Sequence, residues 1–259
     1  MPDKIKPLRN IRLTIEYDGT NYCGWQVQKS HKVTRSQSHK SIQEVIEKAL
    51  RRILQEKVKL IASGRTDAGV HALAQVVNFK AHSAIPAEKL QKALNALLPE
   101  DIVITQAKET GLDFHSRFQA RSKIYRYTIL NRDYPCAFLR NRAYLYPQPL
   151  DIKLMQRESR VLLGRHNFKS FQASDKRERD PVRLIKKLKI TRSKNLIYID
   201  IEADGFLYNM VRNIVGTLIE IGRHRFAKGK LKKILLSADR RLAGPLAPAH
   251  GLCLVRVNY

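Results

Sequence analysis

In "IRLTIEYDG" (residues 11–19), Ile11, Leu13, Ile15 and Tyr17 alternate with polar neighbours, the period of a strand that ends at Asp18-Gly19. A polar, basic stretch follows, "QVQKSHKVTRSQSHK" (26–40), which reads as a loop. Ser41-x-x-Glu44 is then a capping box, and Ile42, Val45, Ile46, Ala49, Leu50, Ile53 and Leu54 recur at helical spacing behind it. "VVNFKA" (76–81) is strand-like, "AEKLQKALNALL" (87–98) is a second amphipathic helix closed by Pro99, and "DIVITQAKE" (101–109) is a strand. The first part of the chain therefore runs β-α-β-α-β.

The second part has a similar outline without a close internal repeat. "RSKIYRYTIL" (121–130) alternates as a strand, and "LDIKLMQRESRVLLG" (150–164) is helical in pattern. A strand pair follows, "KLKITRS" (187–193) and "NLIYIDIEADG" (195–205). In "FLYNMVRNIVGTLIEIG" (206–222), Met210, Val211, Ile214, Val215, Leu218 and Ile219 form one helical stripe, and "GLCLVRV" (251–257) is a final strand. The order predicts two α+β domains, 1–110 and 111–259, each a mostly antiparallel sheet backed by helices. The charged stretch "SFQASDKRERDPVR" (170–183), with Lys176, Arg177 and Arg179, reads as a loop.

Charge sharpens this picture. The 259 residues carry 49 Lys and Arg against 23 Asp and Glu, a net of +26. Residues 1–110 hold 18 basic and 11 acidic side chains, net +7, whereas residues 111–259 hold 31 and 12, net +19. A folded chain with this balance suits a polyanion, of which nucleic acid is the commonest; a compositional bias is the blander alternative. Cys23, Cys136 and Cys253 are odd in number and far apart, which argues against a disulfide framework and offers no zinc spacing. The N-terminal "MPDKIKPLRN" has no apolar signal core, and no apolar run approaches a membrane span, so a reducing, cytoplasmic setting is expected.

One stretch fits neither helix nor core strand: "SGRTDAGVHA" (63–72). In extended backbone, Arg65 and Asp67 point to the same side. A nearby guanidinium keeps a carboxylate ionised, and an ionised, oriented Asp can serve as nucleophile or general base. Gly64 and Gly69 let the backbone bend close to a ligand. On spacing alone, a turn-forming Asp paired with a surface arginine is the more ordinary reading. His71 is expected to be a hydrogen-bonded structural histidine at the start of a strand. Tyr125 and Tyr127 share one strand face, with Lys123 beside them and Arg126 opposite. Such interleaving suits stacking on a base, and it equally suits a core aromatic pair. Arg212 falls off its helix's apolar stripe, on the flank of Tyr208, and on that pattern a solvated arginine is the more ordinary reading. No P-loop, no G-x-G-x-x-G after a strand and no Cys/His metal spacing appears.

Six stretches, in order, carry a resemblance to a known family. They are "EYDGTNYCGWQVQ" (16–28), "SGRTDAGVHALAQVVNF" (63–79), "ALNALLPEDIVI" (93–104), "FHSRFQARSKIYRYTI" (114–129), "DGFLYNMVRNIVGTLIEIG" (204–222) and "LAPAHGLCLVRVNY" (246–259). Nearly end to end, the chain resembles the tRNA pseudouridine synthase A (TruA) family. It departs in the basic 29–40 loop, which is longer and more basic than the family's, and at Asn167, where an acidic residue is usual. The resemblance implies two RRM-like (ferredoxin-like) domains, 1–110 with the catalytic Asp loop and 111–259 completing a central cleft where their sheets meet, in a homodimer. It implies isomerisation of uridine to pseudouridine at positions 38, 39 and 40 of the tRNA anticodon stem-loop, with no cofactor and no metal. The N1–C1′ bond breaks, the uracil turns, and it rejoins through C5. Asp67 matches the catalytic aspartate; attack at C1′, attack at C6 and removal of the C2′ proton remain open as its first step. Arg65 is expected to hold Asp67 and fill the space of the flipped base. Tyr125 matches a tyrosine that stacks on the target and serves in late proton transfer. Arg212 matches an arginine that pairs with the aspartate, and Leu252 is expected to wall the pocket. The target nucleotide must flip out, at a cost of a few kcal/mol.

Two other readings use the same cations. A non-catalytic RNA-binding protein gains nothing from an anion such as Asp67 facing a polyanion. A nuclease or phosphotransferase usually gathers several carboxylates around Mg²⁺, and only one lies in the motif.

The charge generates a first prediction. Log affinity for tRNA should fall steeply and linearly with log salt concentration, because bound cations displace condensed counterions. Neutralising Lys29, Lys32, Arg35 and Lys40 should shallow that slope and leave turnover at saturating tRNA nearly unchanged. A titration of binding against salt, with a flat line as the contrary result, checks it.

Overall fold

Strand β1 (Leu8–Tyr17) buries Ile11, Leu13, Ile15 and Tyr17, the four positions its alternation singles out. It lies between β3 (His71–His82) and β4 (Ile102–Thr110), antiparallel to both, and the two-residue β2 (Ile61–Ala62) adds to the far side of β3. This is a computed structural model, and it describes residues 7–26, 40–174 and 180–259. Of the basic 29–40 loop only Lys40 falls within these ranges; Lys29, Lys32 and Arg35 lie outside the described residues, as do Lys176, Arg177 and Arg179.

The chain divides into two units, Met1–Ala120 with Val255–Tyr259, and Arg121–Leu254. In the first, α1 (Ile42–Leu54) starts at Ser41, whose Oγ accepts the Glu44 N–H, as the capping box requires. It ends where Gln55 enters the left-handed region at φ 55°. Ile42, Ile46 and Leu50 of α1 and Leu90 and Leu94 of α2 (Ala87–Leu97) are fully buried with Leu13, Ile15, Val77 and Phe79 of the strands. Periodicity marks these helical positions because one stripe faces the sheet.

The second unit pairs β5 (Ser122–Leu130), β9 (Leu196–Ala203), β8 (Val182–Ser193) and β7 (Gly164–Asn167) antiparallel in that order; the short β6 (Tyr144–Leu145) runs parallel to β5. Ile197, Ile199, Ile201 and Ala203 of β9 are buried at every second residue, beside Tyr125, Tyr127 and Ile129 of β5. Helices α3 (Ile152–Ser159), α4 (Met210–Gly222) and α5 (Lys230–Ser237) complete the unit. The last strand, β10 (Leu252–Asn258), crosses the division at Leu254. The α+β class with mostly antiparallel sheets, expected from the patterning, is the one that forms.

Several boundaries differ from the pattern, each for a local reason. The helix expected over 150–164 stops at Ser159, passes through a 3-10 turn at Arg160–Leu162 and reaches Gly164 at φ 97°, where β7 begins. The helix expected from 206 starts at Met210, because Asn209 sits in the left-handed region at φ 59°. The strand expected at 187–193 begins five residues earlier, at Val182, so residues 182 and 183 of the stretch read as charged loop belong to β8. The expected strand at 76–81 begins five residues earlier, at His71. Helix α5 is absent from the sequence reading: at eight residues it is too short for its period to stand out.

Candidate active site

Asp67 sits in the connection from β2 to β3, and each flank of that connection is pinned. Before it, the Ser63 N–H donates to the Val76 carbonyl at 2.8 Å, the Ser63 hydroxyl donates to Gln75 Oε1 at 2.7 Å, and Gln75 Nε2 donates to the Gly64 carbonyl at 2.9 Å. After it, the Val70 N–H donates to the Asp67 carbonyl at 3.1 Å, and Gly69 takes φ 76°, as the third position of a type II turn requires. Between these, Thr66 points inward. Its hydroxyl shares a 2.7 Å hydrogen bond with the buried Tyr17 phenol, and its carbonyl accepts the Trp25 N–H at 3.0 Å. With Thr66 buried, Arg65 is exposed and Asp67 half-exposed, the alternation expected from an extended Arg-Thr-Asp.

The brace behind the turn comes from a distant stretch. A Cβ on Gly24 would lie 2.7 Å from the Thr66 carbonyl oxygen and 3.0 Å from the Ala68 nitrogen, and Gly24 also has φ 97°. Only glycine allows that approach. Gly19 is as constrained: its Cβ would fall 2.1 Å from the Val70 carbonyl oxygen. Trp25 is buried, with its ring centroid 6.1 Å from that of Tyr17. The carbonyls of Gly24 and Trp25 accept the N–H groups of Ile42 and Gln43, so the start of α1 fixes the same loop. His71 is 7% exposed, and its Nδ1 lies 3.1 Å from both the Gly19 nitrogen and Asp18 Oδ1, the structural role expected of it.

In the second unit, Tyr125 is 7% exposed and meets the Phe206 ring edge-on, with centroids 5.1 Å apart. Tyr127 is fully buried and donates to the Pro248 carbonyl at 2.8 Å. Burial pushes its phenol far above the ordinary tyrosine range, with the Arg212 charge pulling the other way. A Cβ on Gly251 would come within 2.6 Å of that ring, so the 249–251 turn closes against Tyr127 for want of a side chain. Of the tyrosine pair, Tyr127 is core. Arg126, on the opposite face, forks onto Asp200 at 2.7 and 2.9 Å and lies 5.1 Å over the Tyr198 ring, so its charge is met within the sheet.

Arg212 is half-buried and braced rather than solvated. Its Nε donates to the Ala247 carbonyl at 2.7 Å and its Nη1 to Asn209 Oδ1 at 3.1 Å, while its own carbonyl accepts the Ala247 N–H at 3.3 Å. The 243–248 loop reaches Arg212 because α4 presents glycine to it: a Cβ on Gly216 would lie 1.7 Å from the Pro245 carbonyl oxygen. Leu252 is buried where β10 begins. Arg65 and Asp67 thus share one pinned connection, and Tyr125, Arg212 and Leu252 belong to the second unit. Among the described residues, no group of three or more His, Cys, Asp or Glu side chains gathers as for a metal ion.

Sequence reading missed Tyr17, Gly24, Trp25 and Thr66 behind Asp67, and Asn209, Ala247 and Gly251 behind Arg212 and Tyr127. The glycine and aromatic residues of "EYDGTNYCGWQ" were a visible signal, but nothing in their spacing names residues 66–68 as their partner.

Comparison with known proteins follows the same stretches. The sequence model of a family described as tRNA pseudouridine synthase matches residues 13–119 and 159–259. A tRNA pseudouridine synthase A of Acetivibrio thermocellus is 45% identical over 252 residues, 97% of this chain and 100% of its own length. A tRNA pseudouridine synthase A 2 of Clostridium tetani is 48% identical over 251 residues, 97% of this chain and 99% of its own. A tRNA pseudouridine synthase A of Moorella thermoacetica is 44% identical over 250 residues, 96% of this chain and 99% of its own length.

The brace makes a prediction about a residue that touches no reacting atom. Thr66→Val keeps the shape of the side chain and removes the hydrogen bond between the Thr66 hydroxyl and the Tyr17 phenol, which should cost about 0.5–1.5 kcal/mol of stability. If the pair also aims Asp67, turnover should drop about tenfold or more while the enzyme remains folded. Denaturant unfolding and turnover measured on one preparation check both, and full turnover would limit Thr66 to a stabilising role.

Proposed function

We infer from membership of the tRNA pseudouridine synthase family, to which this chain belongs, that Asp67 begins the isomerisation of uridine to pseudouridine in tRNA. The chain is an isomerase acting on tRNA. The observation that carries the assignment of Asp67 is its setting: a half-exposed carboxylate on a turn whose backbone is held from four sides. A positioned carboxylate loses little freedom when substrate arrives, which is how orientation lowers a barrier.

The reaction needs one glycosidic bond broken at N1 and one formed at C5, with the C5 hydrogen leaving as a proton. No electrons are exchanged with a second molecule. Asp67 supplies the anion for the first step. Arg65 holds that carboxylate and occupies the space the flipped base vacates. Tyr125 stacks on the displaced uracil, and its hydroxyl moves the late proton. Arg212, its guanidinium set by Ala247 and Asn209, pairs with the carboxylate, and Leu252 walls the pocket. Uridines at positions 38, 39 and 40 of the anticodon stem-loop are the targets, the enzyme acts as a homodimer, and it works in the cytoplasm. No helix among the described residues is long and apolar enough to cross a membrane.

Tyr125 separates into two roles. Tyr125→Phe keeps the ring and its contact with Phe206; Tyr125→Ala loses both ring and hydroxyl. Phe should slow turnover at unchanged tRNA affinity, and Ala should weaken both. A Phe variant as fast as the parent enzyme would leave Tyr125 as a stacking surface only.

Asp67→Asn is the direct test. The turn survives it, because what Asp67 gives the Val70 N–H is a backbone carbonyl that Asn retains. tRNA labelled with tritium at uracil C5 should release one label per turnover with the parent enzyme and only background with Asp67→Asn. Binding should persist and tighten slightly, since an anion has left a basic surface. Substantial release by a folded Asp67→Asn enzyme would remove Asp67 from the chemistry.

A further inference from the structure

β5 ends at Leu130, and the chain runs through residues 131–143 before β6. The Asn131 N–H donates to the Asn195 carbonyl at 2.7 Å, which sets this segment beside the turn joining β8 to β9. Phe138 here is 91% exposed, more than any other large apolar side chain among the described residues, and Tyr134 is 57% exposed. The Arg132 guanidinium lies 4.1 Å over the Tyr134 ring while donating to the carbonyls of Tyr134 and Pro135. Arg140 donates to the Ala137 carbonyl at 2.7 Å, and Arg192, at the end of the adjacent β8, to that of Lys194 at 3.1 Å. These bonds order the side chains without cancelling their charge. Over residues 131–142 and 192–195 the cations are Arg132, Arg140, Arg142, Arg192 and Lys194, and the single acid is Asp133.

We propose that this end of the second unit is a further RNA contact, where an unpaired base of the tRNA remote from the target uridine stacks on Phe138 while the surrounding cations hold its flanking phosphates. A bare aromatic ring among arginines is the chemistry of single-strand binding, since every base offers a π-face and every nucleotide a phosphate. Asn131 lies six residues beyond Tyr125, roughly 20 Å along the strand. The patch therefore serves a different nucleotide from the one Tyr125 handles. A second copy of this chain fits it less well, because a two-fold contact sets a patch against itself and would oppose five cations with five more. The inference rests on tRNA being the substrate.

The experiment compares intact tRNA with a short anticodon stem-loop oligonucleotide carrying the same target uridine. Phe138→Ala removes a solvent-exposed ring and should fold normally. On intact tRNA it should raise Kd and KM about tenfold at unchanged kcat, and on the stem-loop it should change neither. Phe138→Trp should restore the parent values, and Arg140→Gln should weaken intact tRNA alone. Unmoved values on intact tRNA, or equal losses on both RNAs, overturn the proposal. So does a lower solution mass for Phe138→Ala by light scattering, which would make the patch a contact between copies. Absence of tritium release from either RNA by the parent enzyme would instead overturn the reading of function, and the difference in binding between the two RNAs would still decide the patch.

Discussion

The Thr66 carbonyl accepts the Trp25 N–H at 3.0 Å because Gly24, one residue earlier, has no Cβ to strike the backbone of residues 66–68. That approach is the constraint from which the Asp67 setting follows. It turns Thr66 inward to the Tyr17 phenol, and with Thr66 inside, Arg65 and Asp67 face outward. The same loop hands its carbonyls to the first N–H groups of α1, so moving Gly24 would disturb a helix start, a buried tyrosine and the carboxylate together. A turn of Gly, Arg, Thr and Asp is too polar to be held by burial of its own side chains. Backbone-to-backbone contact does that work here.

The second unit reaches the same end by a related route. Helix α4 is buried on more than its apolar stripe, since Asn213, Gly216 and Thr217 are also inside. Gly216 admits the Pro245 backbone, Thr217 Oγ1 accepts the Gly244 N–H, and Asn213 binds both the Phe171 carbonyl and the Arg240 guanidinium. These contacts fix the 243–248 loop, and its Ala247 carbonyl in turn fixes Arg212. Asn209 contributes twice: its left-handed φ delays the helix start, and its side chain receives Arg212 Nη1. A long cation held at two points keeps one geometry, whereas a free arginine samples many.

What the sequence discloses divides along these lines. Alternation marks β1, β5 and β9, and helical spacing marks α1, α2 and α4, because those elements bury one side against a sheet and burial writes its period into the chain. Asp67 is legible as a candidate because no regular element accommodates "GRTDAG". The brace is not legible, for it consists of a glycine at residue 24 and a carbonyl at residue 66, and a carbonyl has no side-chain signature. Tyr125 and Tyr127 look equivalent in the alternation. They differ only because Gly251 lets a turn close over Tyr127 and Pro248 takes its hydroxyl, which is long-range information. Arg212 reads as a solvated helical charge for the same reason: the Ala247 carbonyl that takes its Nε lies thirty-five residues away.

The number of basic residues is a poor guide to where RNA meets this surface, and the pairings explain why. Arg126 is answered by Asp200, Arg9 by Glu109 and Arg241 by Asp239, with Arg126 and Arg241 held above their ordinary pKa by those partners. Such cations count among the 49 basic residues while projecting little field, since a paired charge is a dipole and its potential falls off faster than that of a lone one. Arg132, Arg140 and Arg192 are ordered by carbonyls instead, so order costs them no charge. A polyanion is attracted to the second kind. The count of basic residues states that nucleic acid is a plausible partner, and the kind of acceptor each arginine has found decides which of them can still bind a phosphate.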